Sequence, residues 1–447
     1  MLFLRLVVAA VAMIALQVNA ADLSEGSPDA HGFSEERLER IDDFMNEAVA
    51  EETMVGGLGM IARNGAVIYT STWGERNRER QETMTTDTLF RIYSMTKPIT
   101  SVAVMMLYEE GHFNLNDPVA KYIPELADLK LAVSTAESGI EAESDGTVSR
   151  TIGEGDSASQ GQLREPQRQP TIRDLLAHTA GFSYGLFGNT EVDRLYRQAG
   201  IPYAHEGLQS FVAALGKLPL QYEPGSRWHY SVSVDVQGRL VEVVSGMRFS
   251  NFLRERLFTP LGMTDTFFRV PEDKRARLAQ LYQPEGTAEG LMTYLQPTRS
   301  DRLEVAHAST SRTYQTDATF ESGGGGLVSS ASDYLRFAQM LLNGGELDGV
   351  RVLSPKTVAL MSRNHVSGGI DGRPGVGFGL GFGVAMDVGA SGEIGSDGEY
   401  NWGGAAGTRF WVDPEENLIG LFMVQSRPHR TTLAQRFKTL TYQALVE

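Results

Sequence analysis

From Ser34 onward, hydrophobic side chains recur at spacings of three and four, at Leu38, Ile41, Phe44, Met45 and Ala48, with acids and arginines between them. That period predicts an amphipathic helix with one face against a sheet. The pattern then changes: residues 58–62 and 66–72 are β-rich runs joined by Asn64-Gly65. This pair tolerates the positive φ of a tight turn, so an antiparallel hairpin is expected. The far end of the chain mirrors the near one. Runs over 408–412 and 418–424 flank Asp413-Pro414-Glu415-Glu416-Asn417, and a last helix is expected over about 431–445.

Between these ends the pattern is mostly helical. Residues 99–108 are apolar nearly all round, as in a buried helix, and Gly111 stops them. Further helices are expected over 172–178, where Thr171 and Asp174 are spaced as a capping box, and over 234–244, 251–258 and 334–342. Together these elements predict a two-lobe α/β (α+β) fold. An antiparallel sheet from both chain ends (34–93 plus 370–447), flanked by the terminal helices, carries an inserted all-helical lobe (94–369). Residues 132–169, rich in Ser, Glu, Gly, Asp and Gln with few apolar side chains, read as a long surface loop in that lobe.

Composition narrows the chemistry. The chain has 447 residues, 56 acids against 40 bases, and no cysteine. The acidic balance repels phosphate backbones and the seven lysines are unclustered, so nucleic acid is not expected as a partner. Without cysteine there is no thiolate nucleophile or thiolate metal site, and no histidine pair has His-Glu-x-x-His spacing. No metal or other cofactor is expected, and any reaction must use oxygen and nitrogen groups. Arg5, the apolar run 6–16 and Val18-Asn19-Ala20 read as a signal peptide (1–20) cut near Ala21, which implies export to the periplasm or medium. The run is shorter than the ~20 residues a spanning helix needs, so no stable membrane insertion is expected after cleavage.

The chemically pointed segment is Arg91-Ile92-Tyr93-Ser94-Met95-Thr96-Lys97-Pro98, where a strand-rich region hands over to the buried helix. It contains the chain's one Ser-x-x-Lys. On the first turn of a helix that spacing puts the Ser94 hydroxyl and the Lys97 amine on one face, so the amine can ease deprotonation of the hydroxyl. Pro98 is tolerated there because first-turn amides have no intrahelical partner. A rival serine lies in Gly181-Phe182-Ser183-Tyr184-Gly185, which matches the Gly-x-Ser-x-Gly nucleophile elbow of α/β-hydrolases. An elbow needs a strand before it and a helix after it. Here a helical pattern ending at His178 precedes it, so Ser183 is set aside and Phe182, Tyr184 and Phe187 are read as pocket wall or core.

In this context Ser-x-x-Lys resembles the serine β-lactamase and penicillin-binding-protein superfamily, and within it the class C β-lactamases and family VIII carboxylesterases. The likeness runs over roughly residues 34 to 430. It rests on five further stretches in order after the serine: residues 172–181 (Ile-Arg-Asp-Leu-Leu-Ala-His-Thr-Ala-Gly), Trp228-His229-Tyr230-Ser231-Val232, the Pro-Leu-Gly-Met segment at 260–266, and glycine-rich runs at 323–327 and 402–407. The resemblance implies Ser94 as nucleophile, Lys97 as its partner, and Tyr230 as general base. A tyrosine base near neutral pH needs a cation beside its phenolate, and Lys97 would supply it. The implied oxyanion donors are the backbone amides of Ser94 and Ala405.

Two departures concern the substrate. Where β-lactamases and penicillin-binding proteins usually have Lys-Thr-Gly, a clamp for the substrate carboxylate, this chain has Trp402-Gly403-Gly404. The tyrosine motif, which normally ends in asparagine, ends in Val232. Glycines at 403 and 404 are expected to let the substrate approach that strand closely. With Trp402 and Val232 as apolar lining, a short uncharged ester is the expected substrate. The alternatives are a β-lactamase or D-amino-acid peptidase or amidase, and a non-catalytic envelope binding protein retaining the fold.

Overall fold

The computed structural model describes residues 23–133, 163–287, 302–307, 319–370, 372–429 and 431–447. The expected signal peptide, 1–20, and residues 134–162 of the expected loop lie outside the described residues.

Helix α1 (Glu35–Ala50) starts where a capping side chain allows it, since the Ser34 hydroxyl accepts from the Arg37 amide. Its buried positions are Leu38, Ile41, Met45 and Ala48, the stripe read from the sequence. Strands β1 (Gly56–Arg63) and β2 (Ala66–Asn77) pair antiparallel about Asn64-Gly65, both of which take positive φ, 53° and 80°. A short β3 (Glu82–Thr83) follows. The rest of the sheet comes from the other end: β4 (Val376–Phe378), β5 (Gly383–Ala385), β6 (Tyr400–Gly403), β7 (Arg409–Asp413) and β8 (Leu418–Val424). The eight strands run β4-β5-β6-β7-β8-β1-β2-β3, with every neighbouring pair antiparallel. The first and last strand-forming segments thus meet mid-sheet.

On one face, α1 and the C-terminal helix (Leu433–Ala444) close over Ile41, Met45, Trp73, Trp411, Phe422 and Phe437. Burying each such phenylalanine contributes about 1.5–3 kcal/mol. Gly420 in β8 has a packing reason: a Cβ there would stand 2.1 Å from the Trp411 indole.

The opposite face carries the helices of the middle of the chain: α2 (Thr96–Glu109), α3 (Ile172–Leu176), α4 (Ser233–Ser245) and α5 (Ala331–Leu342). Every residue of α2 from Thr96 to Leu107 is buried, as its all-round apolar pattern requires. One core runs from Leu58 and Ile419 in the sheet to Leu240 and Phe252 among the helices. The insertion is not all-helical, however. Strand pairs join Leu89–Arg91 to Val328–Ser330, Leu131–Ala132 to Leu163–Arg164, Tyr282–Pro284 to Leu303–Val305, and Glu346–Leu347 to Val350–Arg351. The ends of the expected surface loop are therefore tied together by backbone pairing. The helix expected over 251–258 divides into an α-helical Phe249–Leu253 and a π-helical turn, Arg254–Phe258. No helix among the described residues is long and apolar enough to cross a membrane.

Candidate active site

The strand Leu89–Arg91 leads to α2 through a 3-10 turn, Tyr93–Met95, so Ser94 sits in that turn rather than in the α-helix itself. Tyr93 takes φ 42°, a left-handed conformation costly for a bulky side chain, which makes the turn sharp. Pro98 falls in the first turn of α2, where its missing N–H costs no intrahelical bond.

Around Ser94 the structure brings three of the expected side chains together. Lys97 Nζ lies 3.2 Å from Ser94 Oγ, and the Tyr230 hydroxyl donates to the same Oγ at 2.7 Å. Lys97 also reaches the Tyr184 hydroxyl at 2.9 Å and the Gly324 carbonyl at 2.7 Å, and stands 4.5 Å from the centre of the Tyr230 ring. Its side chain is fully buried. Burial lowers its pKa to about 7, against the opposing attraction of Asp235. Burial pushes the Tyr230 phenol up, although hydrogen bonding by Ser94 and Trp402 acts the other way. In the resting site desolvation dominates both groups, leaving a neutral phenol that donates and an amine close to its midpoint near neutral pH.

Beside Tyr230, His178 is fully buried with its ring 4.9 Å away, and its Nδ1 accepts from the Ser231 amide at 3.3 Å. The His178 carbonyl accepts from the His229 amide at 2.8 Å, which fixes the segment bearing the phenol.

On the other side, β6 ends at Gly403, and the Gly404 amide donates to the Thr408 carbonyl at 2.7 Å to close a turn. A Cβ on Gly404 would stand 2.5 Å from the Ile92 carbonyl and 2.2 Å from Thr408 Oγ1. The bare Cα of this glycine lets the turn pack directly on the Ile92 backbone and the Thr408 side chain. It seats the following residue, Ala405, in the small apolar cluster that includes Tyr93.

The walls are aromatic. Trp402 lies 5.6 Å from Tyr230 and 5.1 Å from Phe378, Trp228 stacks on Tyr230 at 5.9 Å, and the exposed Phe187 lies 5.7 Å from it. Val232 is not among them. It is fully buried at the start of α4 because the chain turns into the helix immediately after Ser231, so its side chain fills core rather than cleft. Ser183 is also buried. Its hydroxyl donates to the Asp193 carboxylate and accepts from the Gly185 amide at 2.9 Å, a local lock within a segment that has no strand before it. That lock places Tyr184 beside Lys97. Reading Tyr184 as wall or core missed this contact, and Asp235 and the Gly324 carbonyl were not singled out. The available signal for Asp235 was an acid in the otherwise uncharged first turn of a largely buried helix, because a buried charge requires compensation.

Residues 41–442 match the family model described as Beta-lactamase. A Mycobacterium tuberculosis protein is 35% identical over 384 residues, spanning 83% of this chain and 86% of its own length. Esterase EstB of Burkholderia gladioli is 32% identical over 397 residues, or 87% of this chain and 90% of that protein. Among solved structures, EstCE1, described as a hydrolase with promiscuous acyltransferase activity, superposes with a TM-score of 0.72 at 25% identity, covering 91% of this chain and 99% of its own. With this match across most of its length, the chain belongs to the beta-lactamase family and is a serine hydrolase of that family.

Proposed function

We propose that this chain is an exported serine esterase that cleaves short, uncharged carboxylic esters through an acyl-enzyme on Ser94. The observation that carries the reading is the position of Ser94 Oγ between Lys97 Nζ at 3.2 Å and the Tyr230 hydroxyl at 2.7 Å. A base with a pKa near the working pH is the effective one, and a Lys97 amine at about 7 meets that condition. The free amine takes the serine proton as Oγ adds to the ester carbonyl, and the amides of Ser94 and Ala405 donate to the new oxyanion. As the C–O bond to the alcohol breaks, Tyr230 gives its hydrogen to the departing alkoxide, and the Lys97 ammonium restores the phenol. Water then repeats the sequence against the acyl group, releasing the acid and freeing Ser94.

Substrate choice follows from the walls. Trp402, Trp228 and Phe187 offer apolar contact, Gly403 leaves room beside Trp402, and the Trp402-Gly403-Gly404 run supplies no cation for a carboxylate. The likeness to Esterase EstB supports ester cleavage as the reaction. The experiment is a comparison of kcat/KM for p-nitrophenyl butyrate with that for a chromogenic cephalosporin. The ester should be preferred, and the opposite order would overturn the reading. Export is supported by the pattern of residues 1–20. N-terminal sequencing of exported material should begin near Ala21, and a retained Met1 would contradict cleavage.

A further inference from the structure

A buried carboxylate that this reaction does not use stands one residue behind its base. Asp235 is fully buried in the first turn of α4. Its Oδ1 accepts from the Ser322 hydroxyl at 2.5 Å and from the Gly324 amide at 3.1 Å. The carbonyl of the same Gly324 accepts from Lys97 Nζ at 2.7 Å. The other carboxylate oxygen, Oδ2, has no hydrogen-bond partner among the described residues. It faces the bare side of Gly324, where a Cβ would stand 2.9 Å from Oδ2 and 2.7 Å from the Tyr184 hydroxyl. The absent side chain lets carboxylate, phenol and amine gather round one backbone residue.

Leaving one oxygen of a buried carboxylate without a donor is costly, so the charge needs compensation from nearby. The other groups packed round Lys97 supply none. Ser94, Tyr184 and Tyr230 are hydroxyls, and His178 is kept neutral by burial first and by the charge of Lys97 second. Glu321, next in the chain to Ser322, is committed to Arg248 at 2.5 Å and the Ser250 amide at 2.8 Å. We propose that Asp235 is a positioning residue for the base: its charge and its hold on Gly324 keep the Lys97 amine seated against Ser94 and basic enough to take the serine proton. This rests on Lys97 being the proton acceptor of the proposed esterase. Burial pulls the amine down and Asp235 raises it, while burial pushes the Asp235 carboxyl up and Ser322, Lys97 and the Gly324 amide oppose that rise, so each group of the pair supports the other's charge.

The test is the pH dependence of kcat/KM for p-nitrophenyl butyrate in the full-length protein and in Asp235→Asn. Asparagine keeps the size and the acceptor facing Ser322 and Gly324 but removes the charge. The acid limb should move by about half a unit or more toward lower pH, because the amine loses its supporting anion. The plateau should fall about ten-fold, as a weaker base abstracts less effectively. If Asp235→Asn does not fold, Ser322→Ala serves instead. Losing that donor destabilises the carboxylate, so the limb should move the same way by a smaller amount. A limb that stays in place while the plateau falls, or that moves upward, overturns the inference and leaves the role of Lys97 standing. A parent profile with no limb near pH 7 overturns the role of Lys97, and that of Asp235 with it.

Discussion

Tyr230 gives its phenolic hydrogen to Ser94 across 2.7 Å although 136 positions separate them in the chain, and Lys97 reaches the same oxygen from one turn away. Two groups converging on one Oγ form a single proton-transfer unit. Tyr230→Phe and Lys97→Ala should each lower kcat by about 10²–10⁴, and the double variant should be little worse than the poorer single one. Double-mutant kinetics check this. Losses that add fully in free energy would mean the two side chains act independently.

The pH profile carries a sign. A buried amine with a pKa of about 7 is charged below that pH and cannot accept a proton, so kcat/KM should rise with pH through about 7 and then level off. Lys97→Arg, which cannot be deprotonated in this range, should lose activity at every pH measured. Arginine variants that keep a limb near pH 7 would assign that titration to another group.

Gly404 tests the geometry of the proposed oxyanion donors. A Cβ there meets backbone at Ile92 and the Thr408 hydroxyl, so Gly404→Ala must shift the turn that carries Ala405. Loss of one aligned donor costs about 10²–10³ in kcat, and KM should change far less. A rise in KM with kcat intact would place the glycine in substrate binding instead.

Selectivity depends on Trp402 and Gly403. Restoring a lysine and a threonine hydroxyl with Trp402→Lys and Gly403→Thr should raise the cephalosporin-to-ester ratio of kcat/KM about ten-fold or more, the worth of one charge-assisted contact. The Cβ added at Gly403 meets the Thr408 carbonyl at 3.2 Å, so that backbone must give by a few tenths of an ångström for the variant to fold. An unchanged ratio in a folded variant would show that the missing clamp does not set the preference.

What could be read from the sequence was what short-range chemistry fixes. Ser34 caps α1, Thr171 and Asp174 form their capping box, and Asn64-Gly65 turns the hairpin, each through groups a few positions apart. Ser94 and Lys97 were legible for the same reason, as neighbours on adjoining turns. Tyr230 needed the family resemblance, because no local period links it to Ser94. Tyr184 and Gly324 were missed because they meet Lys97 across 87 and 227 positions, and Asp235 because it joins the lysine only through Gly324, 89 positions along the chain. Val232 was misplaced because the sequence does not show that the chain coils into α4 directly after Ser231. The paired strands of the insertion are two or three residues long, too short to display an alternating pattern.

The most direct test is intact-mass analysis after brief exposure to p-nitrophenyl esters, followed by peptide mapping of the acylated residue. The account predicts one acyl group, on Ser94, absent in Ser94→Ala and retained in Ser183→Ala, because Ser183 is buried against Asp193 and serves to hold Tyr184 in place. Acyl label on Ser183, or label undiminished in Ser94→Ala, would contradict it.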